Sequence, residues 1–130
     1  MQIIFTPIGK TCSTITKRHD MPCKGTTAKI IIYKKYAAAL DKIEQEKYLW
    51  ILCYLHQANT RVLQAIPRKS KTLNKTQKGV FALRSPDRPN PIALTKVTLL
   101  KREGLTLYIS GLDVIDKTPV LDIKSYKRPE

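Results

Sequence analysis

Acidic residues are scarce in this chain. Its 130 residues contain 10 Asp and Glu against 24 Lys and Arg, which gives a formal net charge of +14 and a sequence pI of about 9.9. Such an excess favours a polyanionic partner, because each phosphate that a protein neutralises releases condensed counterions. Nucleic acid is the favoured partner, and an anionic membrane surface or no polyanion at all are the alternatives.

Cysteine, glycine and long apolar runs are also limited. Three cysteines without a CxxC pair support neither a disulfide framework nor a zinc knuckle, and they fit a reducing cytoplasm. The five glycines form no GxGxxG or Walker loop, which argues against a Rossmann methyltransferase or dehydrogenase. No segment approaches the ~18 apolar residues of a membrane span, and residues 1–9 lack the basic region of a signal peptide. These features predict a cytoplasmic protein with no membrane partner.

Short strands dominate the pattern of what is present. Strands are predicted at residues 2–7, 28–33, 48–56, 61–66, 80–83, 94–101, 105–109 and 120–123. Residues 37–46 favour a short helix, because they begin with alanines and place Leu40 and Ile43 on one face. We expect one mainly β domain over residues 1–130, a barrel or a sandwich with one or two short peripheral helices.

Residues 84–92 are the densest candidate for a functional segment. Three prolines fix three φ angles and remove three amide donors, so the segment is predicted to be a stiff loop. Arg84 and Arg88 project from it, and a guanidinium suits a carboxylate or a phosphate. A rigid turn in which Arg88 pairs with Asp87 or another acid is the alternative.

Residues 113–124 form a second, acidic candidate. Residues 116–119 are typical of a tight turn. The spacing of the acids is not that of an EF-hand, and the segment has no His or Cys for a transition metal, so no metal site is predicted. An acid–base network beside the proline-rich loop and a hairpin turn with salt bridges are both open.

Basic residues around the segment 67–79 are the candidates for RNA binding. That segment contains no acid and is typical of either a solvated loop or an arm that grips phosphates. The predicted RNA contacts are Arg61, Arg68, Lys69, Lys71, Lys75, Lys78 and Arg88. At the end of the apolar segment 48–56, His56 and Gln57 could bind a base or a ribose, or could be structural.

Taken in order, these segments resemble one family. Residues 79–86 and 88–92 look like the signature of the TsaA-like (TrmO) tRNA methyltransferases, with supporting matches at 7–9, 49–52, 56–57, 112–113 and within 116–126. The resemblance implies a single-sheeted β-barrel that binds S-adenosylmethionine and usually dimerises. It also implies methylation of N6 of threonylcarbamoyl-adenosine beside the anticodon of threonine tRNA. The chain resembles a short form without the C-terminal domain of many bacterial members.

The resemblance also assigns residues by position. It implies cofactor contacts on Cys23, Lys24, Gly25, His56, Gln57, Arg84, Leu94, Asp116, Lys117, Thr118 and Pro119. The proton of the acceptor amine has Asn90, Asp116 and Asp122 as alternative acceptors, and no catalytic residue is assigned. Cys12, Cys23, Lys24 and Lys117 depart from the family pattern, and Lys117 replaces a turn glycine.

Three functions therefore stay open at this point. They are a tRNA methyltransferase, a non-catalytic RNA-binding barrel that has lost the cofactor, and a methyltransferase for a small molecule. The methyltransferase hypothesis requires the proline-rich loop and the 116–119 turn to meet at one rim of the fold.

Overall fold

The computed structural model describes residues 1–67 and 76–127. Within them, eight strands follow in chain order: β1 (Gly9–Cys12), β2 (Thr26–Ile32), β3 (Tyr48–Tyr54), β4 (Gln64–Ala65), β5 (Lys78–Gly79), β6 (Ile92–Glu103), β7 (Thr106–Leu112) and β8 (Pro119–Ser125). The helical segments of this part are short 3-10 helices at Arg18–Asp20, Lys34–Leu40, Ile43–Gln45 and Val80–Ala82. A helix long and apolar enough to cross a membrane is not found among the described residues.

Six of these strands close into one barrel in the order β1-β2-β7-β6-β3-β8, with every neighbouring pair antiparallel. The short strands β4 and β5 pair separately, outside the barrel. The prediction of a mainly β, single-sheeted barrel is therefore confirmed. The helix predicted at 37–46 consists of 3-10 turns, and Lys42 with a φ of 66° separates two of them.

Alternation along the strands fills the barrel interior. In β3, Leu49, Ile51 and Cys53 point inward and are at most 1% exposed, while the residues between them point outward. Ile30 from β2 and Leu107 from β7 join them in the same core. Burying each aliphatic side chain of this kind contributes about 1.5–3 kcal/mol, so the β3 pattern anchors the strand in its register.

Three strand predictions are wrong or shortened. The first strand begins at Gly9 rather than within residues 2–7, and the segment 61–66 contributes only the two residues of β4. Residues 80–82 form a 3-10 helix instead of a strand. Each strand of a closed barrel already has two neighbours, so β-prone segments outside it have no edge to join.

The antiparallel order brings three connections to one end of the barrel. Tyr54 at the end of β3 pairs with Ile92 at the start of β6, and Cys53 pairs with Val120 at the start of β8. At the neighbouring strands, Thr26 pairs with Leu112. The connections 13–25, 55–91 and 113–118 therefore leave the barrel together, at what we call the loop rim. The connections 33–47 and 104–105 lie at the other end.

Candidate functional site

The loop rim collects most of the residues implied as cofactor contacts. Each of its three connections supplies some of them: Cys23, Lys24 and Gly25 from 13–25, His56, Gln57 and Arg84 from 55–91, and Asp116, Lys117 and Thr118 from 113–118, with Pro119 opening β8. Leu94 lies next to the rim on the outer side of β6 and is 48% exposed. The proline-rich loop and the 116–119 turn thus leave the barrel at one end, and their meeting around a cofactor stays a prediction.

An ion pair joins the first two connections. The Arg18 Nη2 lies 3.1 Å from Asp87 Oδ2, and the Arg18 Nη1 donates to the Gln57 carbonyl at 3.4 Å. The backbone N–H of Asn59 donates to Asp87 Oδ1 at 2.8 Å. The hydrogen bond from Arg18 is the main reason why the pKa of the Asp87 carboxyl lies below its ordinary value of 3.8. Asp87 is therefore ionised at neutral pH and holds two loops together.

Sequence reasoning missed Arg18, because the loop around it has no periodicity that would single out one of its basic residues. It also considered a pairing of Arg88 with Asp87, whereas the structure pairs Asp87 with Arg18. Arg88 instead donates to the carbonyls of Val80 at 2.8 Å, Ser85 at 3.1 Å and Leu83 at 3.2 Å. The Arg88 guanidinium therefore braces the proline-rich loop from within, and its role as an RNA contact stays a prediction.

Buried hydroxyls fasten the 113–118 connection to the end of β1. The Oγ1 atoms of Thr11 and Thr118 both donate to the Ile115 carbonyl, at 3.0 and 2.7 Å. The Thr118 N–H in turn donates to Thr11 Oγ1 at 2.9 Å, and both threonines are fully buried. A buried polar group left without a partner costs about 1–3 kcal/mol, so this network holds the turn in one conformation.

Asp116 links the same connection to residues 13–15. The Ser13 N–H donates to Asp116 Oδ1 at 2.9 Å, and the Asp116 N–H donates to the Ile15 carbonyl at 2.8 Å. Asp116 also borders a cleft of about 360 Å³ whose lining includes Cys12 and Tyr108. The connection 13–25 is thus bonded to both other connections of the loop rim.

Two backbone positions at the rim have the left-handed conformation that favours glycine. Gly25 has a φ of 72°, and a Cβ there would lie 2.6 Å from the Leu112 carbonyl oxygen and 2.7 Å from Gly111. Lys117 has a φ of 63°. The turn therefore keeps a glycine-type backbone and carries an exposed cation in addition.

The remaining candidates are spread more widely. Asp122 lies on β8, 3.5 Å from Lys124 Nζ, and Asn90 is exposed in the proline-rich loop. Arg61 and Lys78 are exposed, whereas Arg68, Lys69, Lys71 and Lys75 lie outside the described residues. A second cleft of about 390 Å³, lined by Tyr36, Ile43 and neighbours, lies at the end of the barrel away from the loop rim.

Cys53 is the cysteine buried inside the barrel, below the loop rim. Burial, with a smaller effect from the Asp113 charge, raises the pKa of the Cys53 thiol to about 12, so that it stays protonated. The described residues contain no group of three His, Cys, Asp or Glu side chains that could hold a metal ion.

Comparisons with known proteins point to one family. The model of the tRNA-methyltransferase O N-terminal domain matches residues 11–129. A relative from Methanothermobacter thermautotrophicus, a probable S-adenosyl-L-methionine-binding protein, is 37% identical over 97% of this chain and 91% of its own length. The human tRNA (adenine(37)-N6)-methyltransferase is 35% identical over 95% of this chain and 30% of its own length.

Solved structures show the same fold. The crystal structure of TrmO from Pseudomonas aeruginosa matches with a TM-score of 0.76 and 31% identity over 98% of this chain. Another crystal structure of TrmO matches with a TM-score of 0.77 and 31% identity. This chain spans 57% and 58% of those two chains, so their whole length contains structure that it does not cover.

Proposed function

The chain belongs to the tRNA-methyltransferase O family, and from that premise we propose that it transfers a methyl group from S-adenosylmethionine to the N6 amine of an adenosine in tRNA. The observation that carries the proposal is the convergence of three loops at the loop rim, each with residues that the family resemblance implies as cofactor contacts. As a finer proposal, the acceptor is threonylcarbamoyl-adenosine beside the anticodon, and the protein acts in the cytoplasm, where tRNA is modified.

Residues of the loop rim suit the chemistry of S-adenosylmethionine. Its carboxylate requires a cation, and Arg84 and Lys24 are exposed there. Its ammonium and sulfonium groups require oxygen acceptors, which the Asp116 carboxylate and loop carbonyls can supply. The exposed Leu94 offers an apolar contact. When bound, the cofactor supplies the reactive methyl group, and the protein supplies position and electrostatics.

The acceptor amine must lose a proton as it is methylated. Of the three candidates, Asp116 lies at the loop rim and uses one carboxylate oxygen to accept from Ser13. Asp122 lies on the barrel wall beside Lys124, and the Asn90 amide is a much weaker base. We propose that Asp116 accepts the proton through its other oxygen.

Exposed apolar side chains near the rim support the further proposal of a homodimer. Beside β4 and β5, Phe81 is 85% and Leu63 66% exposed. Exposed apolar groups of this kind mark interaction surfaces. We expect Phe81→Glu to shift the protein to monomer in light scattering, while Leu100→Glu, at another exposed apolar site, leaves the mass unchanged.

Mass spectrometry of nucleosides tests the enzymatic proposal. tRNA with and without threonylcarbamoyl-adenosine is incubated with protein and S-adenosylmethionine, and the adenosine nucleosides are quantified. Methylation of only the tRNA that contains threonylcarbamoyl-adenosine supports this nucleoside as the acceptor. Methylation of both tRNAs supports methyl transfer to an adenosine in tRNA without that requirement. No product together with no heat of cofactor binding in calorimetry would favour the non-catalytic RNA-binding barrel, and cofactor binding without any tRNA product would favour a small-molecule substrate.

A matched pair of variants tests the role of the loop rim. Arg18→Ala removes the link between two loops, whereas Arg102→Ala removes an arginine that bonds Glu44 and the Leu40 carbonyl at the other end of the barrel. We expect methyl transfer to fall about tenfold or more in Arg18→Ala and to stay near wild type in Arg102→Ala, because misplacement at a reacting centre costs rate steeply. Equal losses would argue against the loop rim as the site.

A further inference from the structure

The outer wall of the barrel carries an aromatic and basic surface that the proposed site does not use. Lys124 on β8, Trp50 on β3 and Lys96 on β6 stand side by side at one register. Tyr48 is the next outward residue on β3, and the Tyr126 N–H donates to its carbonyl at 3.3 Å. We call Tyr48, Trp50, Lys96, Lys124 and Tyr126 the aromatic wall.

The side chains of the aromatic wall pack on one another. The Tyr126 ring lies edge-on to Tyr48, with 6.1 Å between centroids, and is tilted against Trp50 at 5.2 Å. The Lys96 Nζ lies 4.4 Å from the Tyr48 centroid and 4.3 Å from the Tyr126 centroid. These contacts hold three rings and a cation in place on an outward face, which lowers the entropy cost of binding a ligand there.

Another lysine–tyrosine contact on the barrel shows what distinguishes this surface. Lys101 lies 4.6 Å from the Tyr108 ring, but its Nζ is also 3.0 Å from Glu103, which accepts from the Tyr108 hydroxyl at 3.3 Å. That charge is neutralised within the protein. No carboxylate of the described residues forms an ion pair with Lys96, so its charge is available to an external anion.

We propose that the aromatic wall binds unpaired nucleotides of RNA, with bases against Trp50 and the tyrosines and a phosphate beside Lys96. Unpaired bases stack on aromatic side chains, and cationic side chains follow the backbone between them. The net charge of +14 favours this polyanion over another protein as occupant. Lys124 contributes less, because Asp122 lies 3.5 Å from its Nζ.

The position of the aromatic wall connects it to the loop rim. β3 runs from Tyr48 and Trp50 to Tyr54 at the rim, so RNA on the wall leads toward the proposed methylation site. The inference therefore rests on the proposed function, and it assigns the wall to the unpaired strand next to the target adenosine.

Trp50 is the only tryptophan of the chain, so its emission reports on this surface without mutation. We expect a short single-stranded oligoadenylate to quench the emission, and added salt to weaken the binding. An RNA duplex of the same strand length, at equal phosphate concentration, is expected to quench much less, because its bases are paired and enclosed within the double helix. Equal quenching by both RNAs, or by neither, would overturn the proposal.

Two variants separate stacking from charge, with labelled oligoadenylate as the probe. Trp50→Leu removes the ring but keeps an apolar side chain, and we expect affinity to fall about tenfold. Lys96→Met removes the charge, and we expect the slope of log K against log salt to become shallower by about 0.7. Tyr33→Leu, an exposed tyrosine at the other end of the barrel, and Lys101→Met are the matched controls and should bind like wild type. Thermal unfolding checks that each variant is folded, and equal losses in wall variants and controls would refute the proposal.

Methyl transfer distinguishes failure of this inference from failure of the proposed function. In an active enzyme, Trp50→Leu should raise KM for tRNA and leave kcat and the calorimetric affinity for S-adenosylmethionine unchanged. An unchanged KM would refute RNA binding by the aromatic wall and would leave the proposed methyltransferase activity intact. Inactive wild-type protein whose Trp50 is still quenched by unpaired RNA refutes the proposed function alone. Trp50 emission that depends on protein concentration without RNA would assign the wall to a second copy of the chain instead.

Discussion

The connection 13–25 is held at two points of the loop rim by two different kinds of contact. At one point, the Asp116 carboxylate bonds it through Ser13 to the 113–118 turn, which the buried hydroxyls of Thr11 and Thr118 fasten to the end of β1. At the other point, a single partly exposed ion pair between Arg18 and Asp87 bonds it to the proline-rich loop. We call the first the hydroxyl corner and the second the arginine junction.

The two contacts differ in how much free energy it costs to break them. Buried hydrogen bonds are costly to break, because their groups lose water without a replacement. An exposed ion pair contributes about 0–1 kcal/mol and exchanges readily with solvent. We therefore expect the hydroxyl corner to act as fixed scaffold and the arginine junction to set the gap between two loops. Cofactor or RNA can alter such a gap at small free-energy cost.

The largest effect is expected for Gly25→Ala, on the fixed side. The new Cβ would meet the backbone of Leu112 and Gly111, and the left-handed φ of 72° adds strain. We expect the free energy of unfolding to fall by about 3 kcal/mol in urea denaturation. Gly79→Ala is the control, because no atom of the described residues lies within 4 Å of a Cβ added there, and it should unfold like wild type. A neutral Gly25→Ala would show that this side of the rim is not rigid.

Thr11→Val tests the hydroxyl corner itself. It removes a donor to the Ile115 carbonyl and leaves the Thr118 N–H without its acceptor. We expect a loss of about 2 kcal/mol in the free energy of unfolding. Thr14→Val, at an exposed position of the same connection, should change it by less than about 0.5 kcal/mol. Similar values for the two variants would contradict the assignment of the corner as scaffold.

Arg18→Ala tests the arginine junction and should cost less than about 1 kcal/mol of stability. The pKa of Asp87 is lowered in the folded protein. The stability that its ion pair contributes is therefore fully present above the ordinary pKa of 3.8 and is lost as the pH falls through the folded pKa. The stability difference between wild type and variant should therefore vanish in strong acid. Lys101→Ala breaks another exposed ion pair and serves as the control that should leave methyl transfer unchanged.

The smallest effect is expected for Lys117→Gly. Glycine adopts a φ of 63° without the steric cost of a side chain, but it also gains entropy in the unfolded chain. We expect the free energy of unfolding, measured by thermal unfolding, to rise by about 0.5 kcal/mol. Lys124→Gly, in the extended strand β8, should destabilise instead. A destabilised Lys117→Gly would mean that the lysine side chain itself holds the turn.

Local patterns predicted the regular parts of the fold. The strands predicted at 48–56, 94–101 and 105–109 overlap β3, β6 and β7, because apolar and β-branched residues favour strands. The segments 2–7 and 80–83 were predicted wrongly, since they are β-prone but have no free strand beside them. Propensity describes a segment, whereas pairing depends on the neighbours that the closed barrel provides.

The amino-acid sequence by itself determined the class of fold, the basic charge and the family pattern, because these depend on residue types and on spacing along the chain. Only the tertiary structure decided which residues meet. It joined Arg18 to Asp87 and buried Thr11 against Thr118, and it aligned Lys124, Trp50 and Lys96 across three strands. Such contacts between distant segments follow from the strand order and register of the closed barrel, which local sequence does not encode.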